Sequence, residues 1–253
     1  MRLILWMLLA TALAPLLGNA EAGLLAQLLG EPAVPKLITV ALDLSASPSG
    51  EDWTVYESNY QRLLQHVCPG DRVVLTPIIS RPHLRAKPAA DIEFPATGIR
   101  LNDEEAARRN KRALRDAFLK LKAMPREHST PILETLSVVQ PLKMADGARA
   151  HWWIVLLTDG RQESPLLNVE RDTLATDQVR QVVQKLKSQG ALPDLSGATV
   201  FVGGAASATP EKFIQTQRFW QEAFSQAGAM MPLGNYVRDG LRFPDPSRDG
   251  GCP

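Results

Sequence analysis

This sequence predicts a doubly wound α/β fold: a mostly parallel sheet with helices on both faces and one short antiparallel edge strand. Three observations carry that prediction. Apolar or strand-like runs at 37–42, 72–79, 152–157 and 199–202 fit strands that are covered on both faces. Segments with apolar residues at helical spacing lie between them. Helix start and stop residues fall at the joints, so strand and helix alternate in the order that builds βαβ units.

Taken in order, the run Leu-Ile-Thr-Val-Ala-Leu at 37–42 is the first strand. Tyr56, Tyr60, Leu63, Leu64 and Val67 then mark a helix over about 51–68, which Pro69-Gly70 stops. The second strand is 72–79. Pro82, Pro88 and Pro95 break up 80–100, where 92–94 fits a short edge strand. A helix over about 103–123 follows. Asn102 is its expected cap, Asp103, Glu104 and Glu105 crowd its first turn, and Lys120 and Lys122 close it, in agreement with the helix dipole. Leu114, Ala117, Phe118 and Leu121 form its buried stripe, and Pro125 ends it. The next helix, about 131–140, turns Ile132, Leu133, Leu136 and Val139 inward, with Thr130 at its natural cap position.

The strand at 152–157 sends Trp152 and Trp153 to opposite faces. A polar loop spans 161–175. A helix over about 177–189 carries Val179, Val182, Val183 and Leu186 and stops at Gly190. After the strand at 199–202, Thr209-Pro210-Glu211 starts a helix that reaches about Ala227. A last strand is expected at 229–233, and the final twenty residues read as a polar tail. The domain division is therefore 1–22 signal peptide, 23–35 lead-in, 36–233 α/β domain and 234–253 tail.

Composition narrows the function classes. Of 253 residues, 45% are hydrophobic and 22% charged, and the formal net charge is +1. That balance argues against a nucleic-acid groove or an anionic membrane surface, so a partner must be recognised locally. The basic run at 108–115 reads as the wet face of a helix. Arg2, the apolar stretch 3–17 and Ala20-Glu21-Ala22 have the layout of an export signal. The stretch is shorter than the roughly 20 residues a spanning helix needs. The folded part is thus expected in the periplasm or outside the cell, with no membrane span beyond this signal or an uncleaved anchor. In an oxidising compartment Cys68 and Cys252 are candidates for a disulfide, or two unrelated thiols.

Three separate pieces share one chemistry. They are Asp43-Leu44-Ser45-Ala46-Ser47, Ser129-Thr130-Pro131 and Thr158-Asp159-Gly160. The first and third close strand-like runs, and the second opens a helix. A doubly wound sheet brings strand C-termini to one edge, where such folds bind ligands. Asp43, Ser45, Ser47, Thr130 and Asp159 there offer two carboxylates and three hydroxyls, a hard oxygen set suited to Mg²⁺ (or Mn²⁺, Ca²⁺). His128, Arg161 and Glu163 are the candidate rim residues for partner contact.

In order, spacing and context this set resembles the von Willebrand factor type A family and its metal-ion-dependent adhesion site. The family pattern is Asp-x-Ser-x-Ser after the first strand, a Thr in a later loop and an Asp after the fourth strand. The resemblance covers about residues 36–233. It implies that Ser45, Ser47 and Thr130 contact the ion, that Asp43 and Asp159 hold it directly or through water, and that a partner protein supplies an Asp or Glu carboxylate. One departure is Glu127-His128-Ser129 before Thr130, where the family often places glycine. The expected role is a non-enzymatic, exported binding module in adhesion or envelope assembly. Two alternatives stand beside it. One is a metal-assisted phosphoester or ester hydrolase with Asp43 as nucleophile or ligand, for which the motifs offer no general base. The other is a structural subunit with a degenerate metal site.

Overall fold

In the computed structural model, the described residues are 34–84, 87–146, 151–169 and 176–244. The candidate signal peptide, most of the lead-in and Cys252 therefore lie outside the described residues, as does part of the polar loop. Pro35–Pro244 form one compact unit. Its strands are β1 (Lys36–Asp43), β2 (Arg72–Ile78), β3 (Ala90–Glu93), β4 (His151–Leu157), β5 (Ala198–Gly203) and β6 (Tyr236–Val237). Its helices are α1 (Gly50–Gln65), α2 (Arg100–Lys122), α3 (Ile132–Asp146), α4 (Thr176–Ser188) and α5 (Pro210–Gln226).

The six strands form one sheet in the order β3-β2-β1-β4-β5-β6. Every pairing is parallel except β2–β3, the antiparallel edge. After β1 the chain first builds outward through β2, then returns to place β4 on the other side of β1. The strand order therefore reverses between β1 and β4. In open α/β sheets that reversal opens a crevice at the strand C-termini. Asp43 ends β1 and Asp159 lies two residues past β4, so both stand at the crevice.

Period-two alternation splits the sheet into two cores. Ile38, Val40, Leu42, Trp153 and Val155 pack with Trp53, Tyr56, Tyr60 and Leu63 of α1 and Leu114 and Phe118 of α2. Leu37, Ala41, Trp152, Ile154 and Leu156 pack with α3, α4 and α5 through Leu136, Val183 and Trp220. The two tryptophans divide between the faces as their adjacent positions require. Burial of each such large side chain contributes about 1.5–3 kcal/mol.

Four local expectations change. Helix α2 starts at Arg100 with Ile99 as a cap lacking a side-chain bond. Asn102 is thus inside the helix, and Asp103 turns back to accept from the Thr97 N–H (2.9 Å) and hydroxyl (2.7 Å). Helix α3 runs past Gln140 and through Pro141. A proline there costs a helix about 3 kcal/mol. Its last turns are held by Lys143, whose ammonium donates to the Ser196 carbonyl and lies over the Trp152 ring. The third change is at 229–233. Only Met230 bridges to Thr199 there, and Pro232, lacking an N–H, cannot extend a ladder. The strand is instead Tyr236–Val237, paired with β5.

The fourth change follows from the third: the ordered domain does not stop at 233. Leu241 and Phe243 are buried, and Phe243 stacks on Trp153 with ring centroids 5.8 Å apart. The Leu241 N–H also donates to Asn59 Oδ1 at 3.1 Å. Cys68 is buried just beyond α1, and its N–H donates to Asp71 Oδ2 at 2.8 Å. The pairing of Cys68 with Cys252 falls partly on a residue outside the described set. Among the described residues, no helix is long and apolar enough to cross a membrane.

Candidate metal centre

Three loops meet at the crevice and are stitched together by backbone hydrogen bonds. From the β1 loop, the Ala46 N–H donates to the Glu127 carbonyl, and the Glu127 N–H donates to the Leu44 carbonyl, both at 2.9 Å. The 127–130 segment then pairs with the β4 loop. Thr130 N–H donates to the Glu163 carbonyl at 2.9 Å, and Glu163 N–H returns to the Thr130 carbonyl at 3.0 Å. The Thr130 loop is thus the bridge between the other two. The Ser80 and Ser129 hydroxyls, 2.9 Å apart, brace it from the side.

Asp43 is fully buried. Its Oδ1 accepts from the Ser45 N–H at 2.8 Å, and its Oδ2 accepts from the Thr158 hydroxyl at 2.7 Å. Burial drives its carboxyl above the ordinary range; the Thr158 and Ser45 hydrogen bonds and the charge of Arg126 oppose that rise. The Ser45 and Ser47 hydroxyls stand 2.9 Å apart. Ser47 also lies close enough to Asp159 to hold its carboxyl down. Asp43, Ser45, Ser47 and Asp159 therefore form one continuous group.

Asp159 is nearly buried, 4% exposed. Its Oδ1 accepts from the Arg161 N–H at 2.9 Å, while its Oδ2 lies 3.5 Å from Arg161 Nε. Burial and then the negative charge of Asp43 raise it from 3.8 to about 6, against the pull of Arg161 and Ser47. Two carboxylates are thus held beside each other in a dry place, each with its charge poorly compensated.

The loop that holds Asp159 is fixed from below. Gly160 has φ +84, and a side chain there would strike the Tyr236 hydroxyl. Its carbonyl accepts from Trp220 Nε1 at 2.7 Å. Tyr56 and Tyr236 are both buried close to Asp159; burial first raises both phenols, and then the charge of Asp159, preceded at Tyr56 by that of Asp43. Among the described residues neither hydroxyl finds a hydrogen bond of normal geometry.

Thr130 does not cap α3. The Leu133 N–H is taken instead by Gln162 Oε1 at 3.0 Å. Gln162 is buried, and its Nε2 donates to Glu134 Oε2 and Ser164 Oγ, both at 3.0 Å. Thr130 lines a cleft of about 310 Å³ that also contains Ser47, Arg161, Glu163 and Lys212. Of the candidate rim residues, Arg161 and Glu163 line this cleft; His128 is exposed and does not. Glu163 Oε1 is 3.5 Å from Asn168 Nδ2. Thr158, Gln162, Tyr56, Tyr236 and Lys212 were not singled out by the sequence. Only Thr158 stood inside a recognisable motif.

The donor set fits a hard divalent cation. Among the described residues no group of three or more His, Cys, Asp or Glu side chains is placed to hold a metal ion. The group is therefore two carboxylates plus hydroxyls, a composition that suits Mg²⁺ or Mn²⁺ with waters completing the shell. A cation would offset both the burial and the Asp43 charge that raise Asp159.

No protein-family model matches the chain, and no curated protein sequence matches it. Solved structures with a similar course include the pilus adhesin SpaC of Lactobacillus rhamnosus GG in an open conformation, at 12% identity and a TM-score of 0.45, over 80% of this chain and 28% of that one. The manganese-loaded TRAP protein of Plasmodium vivax aligns at 15% identity and a TM-score of 0.38, over 71% of this chain and 61% of its own. Proximal thread matrix protein 1 of the mussel byssus aligns at 11% and 0.39, over 79% and 47%. This chain thus spans less than two thirds of each. The architecture is a doubly wound, six-stranded mixed α/β sheet.

Proposed function

We propose that this chain is an exported, metal-dependent protein-binding module of von Willebrand factor A type, with no catalytic activity of its own. One observation carries the reading: the poorly compensated pair Asp43 and Asp159 sits with Ser45 and Ser47 at the sheet's switch point, beside a cleft that Thr130 lines. Asp43 and Asp159 supply the negative charge. Ser45, Ser47 and Thr130 supply neutral oxygens, so no third protein carboxylate fills the shell and an open position on a bound divalent ion can take an outside carboxylate oxygen. The residues around them hold this arrangement rigid. Thr158 and the Ser45 N–H orient Asp43, Trp220 fixes the Gly160 turn, and Gln162 takes the α3 N–H that Thr130 would otherwise cap.

The partner is a protein that presents Asp or Glu, in adhesion or in assembly of an envelope complex. The immobilised protein should retain such a partner from periplasmic or secreted extract in Mg²⁺ and release it in EDTA. Ser47→Ala and Thr130→Ala should lose the capture while remaining folded. Capture that persists through EDTA and through both variants would refute the proposal.

A further inference from the structure

We propose that Lys212 reads a second acid of the partner: the captured segment carries two carboxylates close in sequence, one for the bound ion and one for the Lys212 ammonium. This rests on the metal-site reading above and narrows the partner from a single Asp or Glu to an acidic pair. Lys212 stands in the first turn of α5, where its main-chain N–H donates to the Thr209 hydroxyl at 3.3 Å. A cation there opposes the positive end of the helix dipole, so local preference does not account for a lysine at this position. Its place in the fold does. The loop before α5 is tied to the metal-site loop, because the Ala206 N–H donates to the Asp159 carbonyl at 3.0 Å. Lys212 is thereby carried to the cleft that Ser47 and Thr130 line.

A second, smaller hollow adjoins that cleft. Arg161 and Lys212 line both, and Ser207, Gln215 and Thr216 give the second a polar wall. A segment whose first carboxylate sits at the ion's open position therefore finds a cationic edge beside it. Arg161 shares its charge with Asp159 Oδ2, 3.5 Å away, which leaves Lys212 the better placed of the two cations for an outside acid. Glu163 lines the first cleft and not the second, and its backbone is paired with that of Thr130. A second acid is repelled on the Thr130 side and attracted on the α5 side, so the two charges set the direction in which the segment runs.

Fluorescence-polarisation binding of labelled Gly/Ala peptides in saturating Mg²⁺ tests this on the full chain and on its Lys212→Gln and Lys212→Arg variants. One peptide carries a single Asp; the others carry two Asp separated by one, two or three residues. At least one two-acid peptide should bind wild type roughly three- to tenfold more tightly than the one-acid peptide. A factor of about two comes from having two acids, and the rest is the size of a partly exposed ion pair. Lys212→Gln should return the gain to about twofold and shift the one-acid peptide by less than about twofold, whereas Lys212→Arg should keep the gain. In EDTA, Lys212→Gln should melt no lower than wild type, because it removes a cation from the positive end of α5. A gain of no more than about twofold in wild type, a larger gain that survives Lys212→Gln, or an equal loss for all peptides in that variant overturns the role of Lys212 and leaves metal-dependent capture of one acid standing. A lower melt of Lys212→Gln would assign the lysine to the fold and overturns the role as well. Absence of Mg²⁺-dependent binding of every peptide by wild type overturns the metal-site reading and this inference with it.

Discussion

Replacing Asp159 by Asn should make the metal-free protein more stable, although it removes a buried, hydrogen-bonded carboxylate. Asp159 titrates at about 6 in the folded protein against an ordinary 3.8. At pH 7.5 folding therefore holds a charge it would shed, and the difference corresponds to about 3 kcal/mol at ~1.4 kcal/mol per pH unit. The amide keeps an acceptor for the Arg161 N–H. The opposing pull of Arg161 is already contained in the folded value; desolvating and repacking the amide in its place takes back up to about 2 kcal/mol. The net gain is about 1–3 kcal/mol, or roughly 3–10 °C in melting temperature for a domain of this size. The pH dependence has a defined sign. Because the folded value is raised, the penalty is full above about 6 and is relieved as pH falls from there towards 3.8. Thermal melts in EDTA should show Asp159→Asn above wild type at pH 7.5 and the gap narrowed to about a third by pH 4.5. A variant that melts below wild type at pH 7.5 would show that Asp159 stabilises the fold, and the reading of a strained pair awaiting a cation would be wrong.

The remaining predictions follow from particular contacts. Mg²⁺ at a hundred times its dissociation constant should stabilise wild type by about 2.7 kcal/mol and raise its melting temperature by roughly 5–10 °C; Ser47→Ala should abolish this shift while lowering the EDTA melt by no more than about 1 kcal/mol, the worth of its contact with Asp159. Gly204 has φ +102, and a methyl there would sit 2.1 Å from Tyr56 Cε1, so Gly204→Ala should cost more than about 2 kcal/mol in urea unfolding. Truncation after Leu233 removes β6, Leu241 and Phe243 and uncovers Trp153 and Phe201. It should lower the melting temperature by more than about 10 °C or abolish folding, whereas retention of the full melt would mean that the tail does not belong to the core.

The layers of the fold were legible because both faces of the sheet are covered. Continuous apolar runs such as 37–42 and 152–157 mark such strands without ambiguity, and Thr209-Pro210-Glu211 names a helix start by chemistry alone; Thr209 Oγ1 indeed accepts from the Lys212 N–H. The C-terminal end was not legible. Tyr236, Leu241 and Phe243 are isolated apolar residues among Gly, Pro and charges, and their burial depends on Asn59 and Trp153, which are far away in sequence. The far end of α3 was not legible either: the helix continues through Pro141, and Lys143 beyond it contacts the Ser196 carbonyl and the Trp152 ring, both distant in sequence.

At the site, the oxygen-bearing residues stand out in sequence because three short motifs each end or begin an element. Their supports do not. Gln162 takes the role expected of Thr130 only because the β4 loop folds back onto α3. Tyr56 reaches Asp43 and Asp159 from the helix below. The structure also changes which variant is informative. Asp43 satisfies the Ser45 N–H and the Thr158 hydroxyl in the core, so Asp43→Ala would strand both and confound binding with folding. Ser47, exposed at the cleft, avoids that confusion.

Anomalous diffraction from crystals soaked in Mn²⁺ examines the central claim most directly. A single peak within coordination distance of Ser45 Oγ, Ser47 Oγ and Thr130 Oγ1, with Asp43 and Asp159 beside it, is the predicted result. Manganese bound elsewhere, or no peak at the crevice between β1 and β4 at saturating Mn²⁺, would contradict it.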